Sequence, residues 1–180
     1  MRLTPETTLA VCVDYQQRLM PAIHEADAVL RRAEILVKGL RTLGVPILVT
    51  QQYTKGLGPT VDPVHTALGD YVPYDKLAFG AFDEADFRAL VEAGGRENIV
   101  VFGTETHICV LQTALGLRQA GYQVMLAEDC CGSRRPADKE SGLRRAMGEG
   151  IQVSCSETIL FELTGVAGTD TFRAISRLVK

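Results

Sequence analysis

Short apolar runs alternate along the chain with segments of helical spacing. Thr8-Leu-Ala-Val-Cys-Val13 has no polar alternate, the pattern of a strand buried on both faces, and it ends at Asp14. Residues 28–43 carry apolar side chains on one face and are closed by Gly44, which predicts an amphipathic helix. A second strand is predicted over 45–50. Residues 51–74, with Gly56-Leu-Gly-Pro59 inside them, hold enough turn formers to predict a long irregular connection. A brief extended segment at 75–77 precedes a helix opened by Asp83, with Asp86 three residues on. Further strands are predicted at 98–102, 123–127 and 151–154. Pro136 is suited to the first position of a helix reaching about Met147, and Ser156 to the cap of another. Strands separated by helices in this rhythm predict an α/β domain with a mostly parallel sheet. Chemistry in such sheets gathers at the carboxyl ends of the strands, where Asp14, the Gln51–Gln52 turn, Glu105 to Cys109 and Asp129 fall.

Composition narrows the partners more than the fold. A chain of 180 residues with 46% hydrophobic content suits one domain, 1–180, with a sizeable core. The net charge of −3 argues against nucleic acid or an anionic membrane as a partner. The basic pairs Arg31-Arg32, Arg134-Arg135 and Arg144-Arg145 are scattered among acidic residues and read as solvated helix faces. The first apolar run is broken at Asp14, so it predicts neither a signal peptide nor a membrane span. Five cysteines without CxxC spacing argue against a disulfide framework and a structural zinc site, and a reducing cytoplasm is the expected location.

Phosphate-loop, dinucleotide and GxSxG signatures are absent, and His24, His65 and His107 are too dispersed to declare a metal site. Cys109 stands out instead. A strand ending at Gly103, a polar turn and a helix closed by Gly121 place it in the first turn of a helix, where backbone N–H groups and the dipole favour an anion. An unperturbed thiol is only about 3% ionised at neutral pH, and the dipole lowers its pKa by roughly one unit, so a working nucleophile needs a cation too. Each candidate has a plain alternative: Cys109 as a small buried hydrophobe, Asp14 as a turn cap, Lys76 as a solvated lysine.

Taken together the segments are more specific. Val11-Cys-Val-Asp14-Tyr-Gln16, Lys76-Leu-Ala-Phe-Gly-Ala-Phe82 and Gly103-Thr-Glu-Thr-His-Ile-Cys109-Val-Leu-Gln-Thr-Ala114 resemble the isochorismatase-like cysteine hydrolases over nearly the whole chain. Thr50-Gln-Gln-Tyr-Thr-Lys-Gly-Leu-Gly-Pro-Thr60 looks like the subgroup of isochorismatase domain-containing proteins. The resemblance implies a three-layer α/β/α, Rossmann-like fold with a six-stranded, mostly parallel sheet. It implies Asp14, Lys76 and Cys109 as the catalytic triad, and an oxyanion turn at Thr104 and Glu105 with a cis peptide between them. Gln16, Gln52, Tyr53, Phe79, Thr106 and His107 become the expected pocket lining. Nicotinamidases of the superfamily bind a metal after the second strand, but Gln51-Gln-Tyr-Thr-Lys-Gly56 lacks such ligands, so neither metal nor cofactor is expected. The family's usual serine before Ala81 is Gly80 here. Relatives are commonly oligomeric, which implies a homo-oligomer acting on a small molecule.

The chemistry also calls for three groups. Moving a proton from a free thiol to a free carboxylate is uphill by roughly 6 kcal/mol, and a lysine ammonium between them closes much of that gap. Cysteine-dependent cleavage of an amide-like C–N bond is the expected reaction. Its rivals are vinyl ether hydrolysis with the aspartate as acid, and a non-catalytic interaction module of the same fold.

Overall fold

The structure, a computed structural model, describes residues 2–180. Its elements in chain order are β1 (Thr8–Val13), α1 (Ala26–Thr42), β2 (Ile47–Gln52), α2 (Thr54–Leu57), α3 (Asp62–Leu68) and β3 (Tyr74–Lys76). They continue with α4 (Ala85–Ala93), β4 (Asn98–Gly103), α5 (Leu111–Gln119), β5 (Gln123–Ala127), α6 (Pro136–Gly148), β6 (Gln152–Ser154), α7 (Ser156–Thr164) and α8 (Asp170–Leu178). The six strands form one sheet in the order β3-β2-β1-β4-β5-β6, and every pairing is parallel.

Every residue of β1 and β4 is buried, as unbroken apolar runs require when both sheet faces are covered. α1 packs with α3, α7 and α8, while α4 and α5 pack on the turn at Ala81–Asp83 and α5 against α6, giving the three layers. The chain leaves β1 towards β2 and β3, then returns to place β4 on the other side of β1. The β1/β4 boundary is therefore the topological switch point, where the crevice of an open α/β sheet lies.

The connection over 51–74 is not irregular. α3 opens on Pro63 and buries Val64, Ala67 and Leu68, one helical face, against α1. The segment before it is strapped to the chain after β1: Gln17 and Arg18 amides donate to the Pro59 and Leu57 carbonyls, and Val61 N–H to the Tyr15 carbonyl. β2 runs to Gln52 because β3 supplies partners for its last residues, in the register Thr50↔Tyr74, Gln51↔Asp75 and Gln52↔Lys76. The helix expected from Asp83 begins at Ala85 instead. Glu84 stays extended while its carboxylate accepts the Leu77 and Ala78 amides. Ser156 is the first residue of α7 and not its cap, and Asp129 holds both its N–H and its hydroxyl, at 2.7 and 2.6 Å.

Candidate active site

Asp14, Lys76 and Cys109 converge at the carboxyl ends of β1, β3 and β4. Asp14 ends β1 in the left-handed region, φ 55°, and its N–H donates to the Thr50 carbonyl at 3.2 Å. That conformation is uncommon for a residue with a side chain. Tyr53 and Glu105 share it, at φ 39° and 54°, so backbone strain is concentrated at this edge of the sheet. β1 and β4 meet closely here. A Cβ on Gly103 would lie 2.2 Å from the Val13 carbonyl oxygen, which fixes glycine at that position. Thr104 then donates its N–H to that Val13 oxygen (3.0 Å) and its hydroxyl to the Asp14 carbonyl (2.5 Å).

The carboxylate and the ammonium form an ion pair withdrawn from water. Lys76 Nζ lies 2.8 Å from Asp14 Oδ2, and both side chains are 0% exposed. Thr50 Oγ1 donates to Asp14 Oδ1 at 2.7 Å. The approach of the ammonium to Oδ2 is not aligned as a hydrogen bond, so a lone pair on that oxygen stays open. Lys76 directs its protons to Gln52 Oε1 (2.6 Å) and the carbonyls of Phe79 (3.0 Å) and Ala78 (3.2 Å). A buried pair is stable only when its remaining valences are met in this way.

Cys109 is buried, in a π-helical turn at Thr106–Val110 that runs into α5, not in a regular first helical turn. Such turns are rare and concentrate at functional sites. Its thiol is pushed up to about 12, chiefly by burial and then by the Asp14 carboxylate, with Lys76 pulling the other way. The sequence-based expectation of a thiolate stabilised by lysine did not weigh this burial: desolvation leads, the Asp14 carboxylate adds to it, and the Lys76 cation opposes both, a balance that favours the neutral thiol.

All peptide bonds among the described residues are trans, so the cis peptide expected at Thr104–Glu105 is not found. The left-handed φ of Glu105 turns the chain there instead. The Thr104 and Thr106 amides are committed to the Val13 and Gly132 carbonyls, and those of Ile108 and Val110 to the Glu105 carbonyl.

The expected pocket residues divide into three groups. Gln16 and Thr106 are fully buried struts: Gln16 Nε2 donates to the Gln52 and Gly58 carbonyls, and Thr106 Oγ1 to that of Gly132. Gln52 is occupied by Lys76 and the Leu77 carbonyl. Tyr53 and Phe79 are exposed at the rim, and His107 is part-buried with Nδ1 3.1 Å from Ser133 Oγ. Sequence reasoning missed Thr50 and the Gly132–Arg134 loop. Arg134 is not on a solvated helix face, since its Nε donates to the buried Glu105 carboxylate at 2.9 Å. The basic pair gave no sign of this, because nothing local links it to residue 105. The Gln51–Gln52 turn holds no metal-binding constellation; Gln51 Nε2 donates to Thr60 Oγ1.

Comparisons with known proteins bear on the family and the fold. The model of the isochorismatase domain matches residues 8–158. The isochorismatase domain-containing protein 1 of Salmo salar is 36% identical over 99% of this chain, which spans 62% of that relative's length. The structure of a MAR1 ribonuclease from Caenorhabditis elegans superposes with a TM-score of 0.93 at 26% identity, covering 99% of this chain and 92% of that one. The YcaC product of Escherichia coli, described as an octameric hydrolase of unknown specificity, superposes at 0.92 with 21% identity, covering 99% and 90%, and supports the fold alone.

Proposed function

The chain belongs to the isochorismatase domain family, and we propose that it is a cysteine-dependent hydrolase cleaving an amide-like C–N bond of a small molecule. One observation carries the reading: a fully buried Asp14–Lys76 ion pair stands beside the buried Cys109 at the carboxyl ends of the strands.

Burial and the Asp14 carboxylate push the Cys109 thiol well above its ordinary range, so the proposed chemistry does not start from a standing thiolate. In the proposed mechanism, proton transfer accompanies attack. The Cys109 proton moves to the open lone pair of Asp14 Oδ2 as the sulfur adds to the carbonyl carbon, and Lys76 supplies the compensating positive charge throughout. The N–H groups of Cys109 and Glu105 are the proposed oxyanion donors. Collapse breaks the C–N bond, and the Asp14 proton goes to the leaving amine. A water molecule, deprotonated by Asp14, then hydrolyses the thioester and restores the thiol.

The whole chain is read as one hydrolase domain, needing neither metal nor cofactor and working as a homo-oligomer in the cytoplasm. Light scattering tests the assembly. Despite the name ribonuclease on the nematode relative, a net charge of −3 argues against RNA as a substrate here. The deciding experiment is turnover of a small-amide library by the wild type and by Cys109→Ala. Loss of all activity in the variant supports the reading. Retained activity that vanishes in Asp14→Asn would transfer the chemistry to the aspartate, as vinyl ether hydrolysis requires.

A further inference from the structure

The Lys76 ammonium has three protons, and its shortest contact is to a neutral side chain. Gln52 Oε1 lies 2.6 Å away, closer than the Asp14 carboxylate at 2.8 Å or the Phe79 and Ala78 carbonyls at 3.0 and 3.2 Å. The orientation of the Gln52 amide is settled by its other end. Nε2 donates to the Leu77 carbonyl at 2.9 Å, and a flipped amide would set an NH2 group against the ammonium and an oxygen against a carbonyl. The Gln52 main chain is clamped as well, its N–H donating to Gln16 Oε1 at 2.7 Å and its carbonyl accepting from Gln16 Nε2 at 3.0 Å. Gln16 in turn donates its own N–H to the Asp14 carbonyl at 2.9 Å. In the β2/β3 register Gln52 stands directly beside Lys76. A closed ring of contacts thus runs from Asp14 through Gln16 and Gln52 to Lys76 and back to Asp14.

We propose that Gln52 is a positioning residue for the hydrolysis, holding the Lys76 ammonium against Asp14 and, being neutral, leaving that ammonium in direct contact with a single carboxylate. The inference rests on Cys109 being the nucleophile. The sum of the Asp14 and Lys76 charges is zero, so sulfur ionisation adds one negative charge to the group. A carboxylate at position 52 would place a second anion on the same ammonium, and ionisation would then carry the group to two negative charges. Other ionisable groups around the ring are accounted for. Asp14 and Cys109 face the ammonium directly, and Cys12 lies on β1 within the field of Asp14. Glu84 interacts with Lys76 from beyond the Leu77 and Ala78 amides, and Tyr74 donates its hydroxyl to it. Glu105 and His107 pair with Arg134 and Ser133.

The test is the rate of Cys109 alkylation by iodoacetamide from pH 7 to 10, read by mass spectrometry on the Cys109 peptide so that the other four cysteines do not contribute. Gln52→Glu keeps the acceptor and adds the charge; Gln52→Met removes the acceptor at similar volume. The expected result for Gln52→Glu is labelling at least about tenfold slower at each pH, a displacement of about one pH unit upward. Gln52→Met is expected to be slower by about threefold, half a unit, because the lysine is no longer held beside the sulfur. Circular dichroism establishes which variants are folded, and since the side chain is only half-buried, one near-isosteric replacement suffices if the other fails. A folded variant that loses thermal stability but labels on the wild-type profile would show Gln52 to be merely structural and overturn the inference. Failure of the nucleophile reading is distinguishable, because amide turnover would then survive Cys109→Ala whatever the Gln52 variants do.

Discussion

Lys76→Met separates a buried ion pair from a mere buried contact. Methionine fills much of the space of the lysine stem but removes the ammonium, leaving Asp14 at 0% exposure with Thr50 Oγ1 as its remaining side-chain partner. Breaking one side of a fully buried pair costs about 3–5 kcal/mol, because the survivor is an uncompensated charge in a medium of low polarizability. With a urea slope of about 2 kcal/mol per molar, the unfolding midpoint should fall by about 2 M. Asp14→Asn combined with Lys76→Met leaves no buried charge, and the double variant should recover at least half of the loss. Urea unfolding of the wild type, both single variants and the double variant at pH 8 reads all of this. A Lys76→Met penalty under about 1 kcal/mol at pH 8, or a double variant no more stable than the Lys76→Met single, would refute the picture of a dehydrated pair.

Cys109→Ala should abolish amide turnover while shifting stability by no more than about 1 kcal/mol in urea unfolding, since it removes one sulfur from a turn held by its backbone. Burial raises the thiols of Cys109 and Cys131 to about 12, and those of Cys12 and Cys130 move in the same direction for the same reason. Unfolded thiols ionise from about pH 8.5. The contribution of these groups is complete below that value and lost as pH rises towards the folded values, so urea midpoints should fall steadily from pH 9 to 11, and less steeply in Cys131→Ala. Gly103→Ala should destabilise by about 3 kcal/mol and slow Cys109 labelling as well, because the added methyl meets the Val13 carbonyl at 2.2 Å and forces β1 from β4 beneath the triad. Dialysis against a chelator should leave turnover unchanged; activity returning only with added zinc or iron would refute the metal-free reading.

The central strands were legible because burial on both faces demands an unbroken apolar run, and residues 9–13 and 99–102 are such runs. Pro136 at the start of α6 was legible for a local reason too, the fit of a fixed φ to a first helical turn. Elements whose cause is non-local were read less well. α3 carries Pro63 and apolar residues at 64, 67 and 68, yet the flanking Gly56-Leu-Gly-Pro59 hid it, since those turn formers belong to the strap over the chain after β1. α8, capped by the Thr169 hydroxyl at 3.0 Å from Phe172 N, drew no expectation.

The site shows the same division at finer scale. Asp14 and Cys109 could be named because each closes or follows a strand whose pattern is local. Lys76 was a weak candidate until the resemblance added to it, since β3 is three residues long and exists because β2 offers it a parallel edge. That pairing is also what turned Gln52 from an expected substrate contact into a ligand of the lysine. No spacing rule relates residue 52 to residue 76; only the register does. Electrostatics was the least legible part. A helix start and a nearby cation predicted an acidic thiol, but the sign of the shift depends on burial and on a carboxylate 95 residues away in sequence, quantities that a one-dimensional pattern does not carry. Under the proposed mechanism a neutral thiol would be activated only in the encounter with substrate, and the proton's path to Asp14 Oδ2 would then be the feature of the site that most needs to stay intact.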